Sequence, residues 1–155
     1  MSELLIDRLG RDAERLPKAP ALAGLTNAQV WAASGAVASW LIAQGFGPGG
    51  ERLAVSASAS VQRGLLLLGA LRAGALVVAG GARLVFGDQA GRLVGRSAGQ
   101  CVAFEALANC SIDAAVAERR LHIDARTPAR EHAGRIERHG DLVTIAAALK
   151  LPWDD

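Results

Sequence analysis

Tyrosine is absent from these 155 residues, and phenylalanine and tryptophan occur only three times each. A core must therefore be built from aliphatic side chains, and an apolar content of 51% is enough to build one. Only two cysteines are present, Cys101 and Cys110. With no second close pair they supply poor metal-ligand spacing, and free, buried thiols are the expected state. Neither sign of charge dominates. The net charge of +2 is too small by itself to argue for a nucleic-acid partner. No interval reaches the length and apolarity of a membrane span, since Arg72 and Gly74 break the longest candidate. Met1 to Pro20 alternates charge and leucine and lacks the apolar stretch of a signal peptide, which makes the cytoplasm the default location. There is no fixed-period repeat and no low-complexity linker, so residues 1–155 read as a single domain.

What is present is concentrated between Thr26 and Val78. Thr26 suits a helix N-cap, because its hydroxyl can accept from an N–H two or three residues on. Val30, Val37 and Leu41, with the small Ala33 and Ala38, recur at helical spacing. Gly45 suits the left-handed conformation that ends a helix, Pro48-Gly49-Gly50 is a turn, and Leu53-Ala54-Val55 is an apolar run of strand length. A second helix from Val61 to Ala73 is apolar almost all round, so it should be buried, and Gly74 ends it before a strand at Ala75 to Ala79. Strand, helix, strand with short returns is a βαβ unit, which favours a parallel pair and a right-handed crossover. The expected fold class is α/β, a mostly parallel sheet flanked by helices in Rossmann-like or flavodoxin-like layers.

The order of these signals resembles the start of the adenylate-forming superfamily, the acyl-CoA synthetases, aryl-CoA ligases and related AMP-forming enzymes. The resembling segments are the Thr26-initiated helix, the turn Gly45-Phe46-Gly47-Pro48-Gly49-Gly50-Glu51-Arg52-Leu53, and the helix end Gly69-Ala70-Leu71-Arg72-Ala73-Gly74-Ala75. Gly50-Glu51 stands where that family has Gly-Asp. A fainter likeness continues through Ala82 to Asp88, so the family-like core is residues 26–88 and the divergent part residues 89–155. The resemblance implies an incomplete N-terminal subdomain of an adenylating enzyme. The family's phosphate loop, adenine motif, ribose-gripping Asp and C-terminal domain with its catalytic Lys have no counterpart here. The matched positions are scaffold positions, so the resemblance implies no catalytic residue and no cofactor.

Past residue 88 the signals thin out. Arg83 to Phe86 and Cys101 to Phe104 read as short strands separated by a glycine-rich polar stretch, Gly87 to Gly99. Ala114 to Arg119 reads as a short helix, and Leu121 to Asp124 alternates like a strand. Thr127-Pro128 has the chemistry of a helix start, and Asp141 that of a cap for a last helix from Leu142 to Leu149. Glu131 and Arg135 are spaced as a helical ion pair.

Two sets of residues are candidates for function. Ser58 and Ser60 follow the first strand, at the end of a parallel sheet where ligands ordinarily bind; Ser60 equally suits the N-cap of the second helix. Trp31, Phe46 and Trp153 are candidate interface anchors, with core packing as the alternative. His122, His132 and His139 lie near Asp124, Glu131 and Asp141, yet no pair of them has metal-ligand spacing, so no metal site is expected. The arginines from Arg119 to Arg138 are diluted by acidic residues and read as solvated faces. An apolar parallel sheet cut short should leave an edge and a face uncovered. The sequence thus points to a truncated, non-catalytic relative of a synthetase subdomain, working as a homodimer or on a larger protein, without nucleic acid or membrane. Two other readings stay open: a small protein that binds an acyl or aryl acid or a nucleotide in a new pocket, and one chain of a split adenylating enzyme.

Overall fold

Thr26 starts its helix through a capping box. Its hydroxyl accepts from the Gln29 N–H at 3.2 Å, and the Gln29 side chain accepts from the Thr26 N–H at 2.9 Å. The structure, a computed structural model, describes residues 3–132 and 134–151. Before this cap lie helix α1 (Leu5–Arg15) and a small antiparallel pair, β1 (Pro20–Leu22) and β2 (Leu25–Thr26). The capped helix is α2 (Asn27–Ala43), and Gly45 follows it with φ +94°. Strand β3 (Leu53–Ser56), helix α3 (Val61–Ala73) and strand β4 (Val77–Val78) complete the expected unit, with β3 and β4 parallel. Gly74 closes α3 in the left-handed conformation at φ +75°.

Strands β5 (Leu84–Gln89), β6 (Arg92–Ser97) and β7 (Gln100–Ala103) follow, then α4 (Phe104–Ala108) and α5 (Ala114–Arg120). The chain ends its described part with β8 (Pro128–His132), β9 (Arg135–Arg138), a single 3-10 turn at His139–Asp141, and α6 (Ile145–Leu149). The main sheet has seven strands in the order β7-β6-β5-β3-β4-β8-β9. Its centre is parallel, β5 and β4 pairing on either side of β3 and β8 pairing with β4, while β6, β7 and β9 are antiparallel additions. The α/β class with a parallel centre and flanking helices is therefore what forms.

Several local expectations are corrected here. The glycine-rich stretch Gly87 to Gly99, expected to separate two strands, itself contains the whole of β6, turned at Ala90-Gly91 and again at Ala98-Gly99, all four with positive φ. Thr127-Pro128 starts a strand and not a helix, because β8 is captured between β4 and β9; Arg130 then pairs across to Glu137 at 2.9 Å, in place of a helical Glu131–Arg135 pair. Leu121 to Asp124 is a turn rather than a strand. The last helix is shorter than expected and is capped by Thr144, whose hydroxyl accepts from the Ala147 N–H. Cys101 is exposed on β7, an outer strand of the sheet, and not buried. The antiparallel additions also cover the lateral edges of the parallel centre with strands rich in Arg, Gln and Glu, so that centre exposes no apolar edge.

The helices α2 and α3 pack closely. A Cβ at Gly69 would lie 2.3 Å from Val37 Cγ1, so glycine there lets the two backbones approach. Leu41, Leu66, Leu68, Leu53 and Val55 are wholly buried in the core this creates. The aliphatic core that the shortage of aromatics requires is thus centred between α2, α3 and β3.

Candidate functional site

The serines at the carboxyl end of β3 are occupied by structural work. Ser58 donates from its N–H at 2.8 Å and from its hydroxyl at 2.5 Å to one carboxylate oxygen of Asp88. Those hydrogen bonds hold the Asp88 carboxyl below the usual carboxylate range. Ser60 accepts from the Arg63 N–H at 3.1 Å and is the N-cap of α3. Phe46, expected as an interface anchor, is 1% exposed; its ring belongs to the core and offers no surface. Trp153 lies outside the described residues. His122 and Asp124 are both exposed in the turn after α5.

Trp31 is placed differently from the other candidates. It sits half-buried on α2, and one side of it forms a wall of a cleft of about 480 Å³ between α1, α2 and α5, floored by the last turn of α3. Ile6, Ile112 and Val116 supply the apolar lining, and Ile112 is 58% exposed at the rim. A shallower hollow of about 440 Å³ continues past Trp31 along Gly10, Ala13 and Ala28. Gly10 is required for this arrangement, since a Cβ there would lie 2.9 Å from the Trp31 ring. A volume of this size is in the range of small-molecule clefts.

Five charged residues line the cleft, and four of them are engaged. Arg120 grips Asp7 with two bonds, Nε to Oδ1 at 2.7 Å and Nη2 to Oδ2 at 2.5 Å. The pairing holds the Asp7 carboxyl below its usual range and raises the arginine. Arg11 donates to Glu3 at 2.9 Å, and Asp113 caps α5 by accepting from the Ala115 N–H at 3.0 Å. The fifth is Arg72, only 9% exposed. Its Nη1 donates to the Trp31 carbonyl at 2.6 Å and to the Ser34 hydroxyl at 3.0 Å, and its guanidinium lies 3.5 Å from the centre of the Trp31 ring. Among the described residues no carboxylate is paired with it and no hydrogen bond runs from Nε or Nη2, and neither of these two atoms is sealed from solvent. Burial lowers its pKa to about 10, which still leaves it charged at neutral pH.

Gly35 makes the seat. A Cβ at that point of α2 would lie 3.0 Å from Arg72 Nη1 and 3.4 Å from Ile112 Cδ1. Sequence reading drew attention to Trp31 and missed Arg72. The available signal was a cation in the last turn of a helix that is otherwise apolar from Leu65 to Ala73. A charge on a buried helix is a stronger statement about a site than about the end of an apolar span.

No protein-family model and no curated protein matches this chain. Solved structures do. The crystal structure of VinN is 26% identical over 49% of this chain and 21% of its own length, with a TM-score of 0.44. The N-terminal domain of FACL13 from Mycobacterium tuberculosis is 28% identical over 50% of this chain and 21% of that chain, with a TM-score of 0.44. VinN in complex with L-aspartate is 23% identical over 56% of this chain and 21% of that chain, with a TM-score of 0.45. Both neighbours are of the adenylate-forming, acyl-CoA synthetase type, and the match to each is partial.

Proposed function

We propose that this chain is a non-catalytic binding domain that works by protein association, either with a second copy of itself or with a larger protein. One observation carries the reading: the half-buried indole of Trp31 and the exposed Ile112 stand together on the rim of an apolar cleft formed by α1, α2 and α5. Exposed apolar patches mark interaction sites, and tryptophan is enriched among the residues that dominate interface energies. Leu121, 81% exposed at the end of α5, extends the same apolar character beyond the cleft. The engagement of Ser58 and Ser60 in backbone and carboxylate bonds draws the reading away from a reaction at the strand ends.

Ile112→Asp tests this at little cost to the fold, because the side chain is mostly in solvent. Light scattering on the purified wild-type protein is expected to give twice the mass of one chain at concentrations where the Ile112→Asp variant gives that of a single chain. A wild-type monomer that also captures no protein from the cell would overturn the reading. So would a dimer that the substitution leaves intact.

A further inference from the structure

The cleft contains a cation that its own fold does not balance. Burying a charge without a countercharge is expensive, and folded proteins pair such groups or give them a ligand. Arg72 has neither among the described residues, while the other four charged groups around it are already engaged. Its guanidinium is also held in one orientation, stacked on Trp31 and fixed through Nη1, so little freedom remains to be lost on binding. What remains is the donor edge carrying Nε and Nη2. That planar pair matches the two oxygens of a carboxylate. A phosphate dianion would call on further cations, and the neighbouring Arg11 and Arg120 are bonded to Glu3 and Asp7.

We propose that this cleft is a receptor for a small organic monoanion, a carboxylate on an apolar body, with the carboxylate on Arg72 and the body against Ile6, Ile112 and Val116. The site lies in the helix layer, at the last turn of α3. That is the opposite end of α3 from Ser60 and the carboxyl end of β3, where sheets of this class ordinarily take their ligands. The inference shares the rim of the association surface, and in that respect it rests on the preceding reading. It would hold equally in a monomer. The bound anion balances Arg72 and fills the concavity beneath the rim.

The test uses the full chain labelled with ¹⁵N and three probes: indole-3-acetate, its neutral analogue indole-3-acetamide, and acetate. Indole-3-acetate is expected to shift the Nε–H resonances of Arg72 and the indole N–H of Trp31 in a saturable way. The neutral amide is expected to bind at least about tenfold more weakly, since a hydrogen bond to a charged group is lost. Acetate, which lacks the apolar body, is expected to be weaker still. Arg72→Met should abolish the preference for acid over amide. Ile112→Glu, which sets a carboxylate beside the guanidinium from an exposed position, should weaken the acid by a similar factor and decides the matter if Arg72→Met does not fold. Equal binding of acid and amide, an acid preference that survives either substitution, or shifts confined to another surface would overturn the proposal. Light scattering on the same samples separates the two readings. A monomer that binds the acid through Arg72 removes only the association, and a dimer indifferent to all three probes removes only the anion site.

Discussion

At the scale of single residues, burial decides more than charge. His139 is 3% exposed, and its Nε2 is buried without a hydrogen-bond partner. Burial first, and the Arg120 charge second, lower its pKa from 6.5 to about 4 against a smaller opposing pull from Asp124. The folded protein therefore resists a proton that the unfolded chain accepts. Because the folded pKa is the lower one, the stabilisation is complete above pH 6.5 and is lost as pH falls towards 4. The loss is on the order of 3 kcal/mol. Chemical denaturation measured from pH 7 to pH 4 should show that decline, and His139→Leu should flatten it. An unchanged slope in the variant would place the acid sensitivity elsewhere.

At the scale of elements, the caps and the hairpin turns behaved differently as signals. Thr26, Ser60 and Gly74 bound their helices where the sequence put them, since each boundary depends on one side chain or one φ angle within a turn of the chain. The hairpins were hidden because their turns are Ala-Gly, which is not the usual composition for two successive residues at positive φ. Ala23-Gly24, Ala90-Gly91 and Ala98-Gly99 all turn this way, with alanine at φ 41°, 53° and 44°. Alanine is strained there, whereas asparagine tolerates the left-handed region. Ala98→Asn is accordingly expected to stabilise the fold by about 0.5–1 kcal/mol, read from the midpoint of urea unfolding. Destabilisation by that substitution would mean that the turn is set by something other than its own dihedral angles. β8 was illegible for another reason: Thr127-Pro128 has helix-start chemistry, and only pairing with β4 and β9, distant in sequence or later in it, makes it a strand.

At the scale of the whole molecule, the parallel centre was readable from residues 53 to 78 because its helix and strands alternate in apolar blocks. Of the two antiparallel flanks, Cys101 to Phe104 marks β7 to within a residue, whereas β6 and β9 carry no legible signal. Those flanks leave the sheet edges polar, and the apolar surface on which association is proposed lies in the helix layer, where Trp31, Ile112 and Arg72 meet. Of the sequence's candidate residues among those described, only Trp31 lies in this cleft; Arg72 and Ile112 come to it from a helix end and from a loop, and Trp31 and Ile112 are eighty-one positions apart. No periodicity connects such residues. The measurement that tests the association most directly is amide hydrogen exchange on the full chain at a dilute and a concentrated setting. Protection that rises with concentration across α1, the first turns of α2 and the segment from Ile112 to Leu121 is the expected result. Exchange that is independent of concentration, or protection gained only on the sheet, would contradict it.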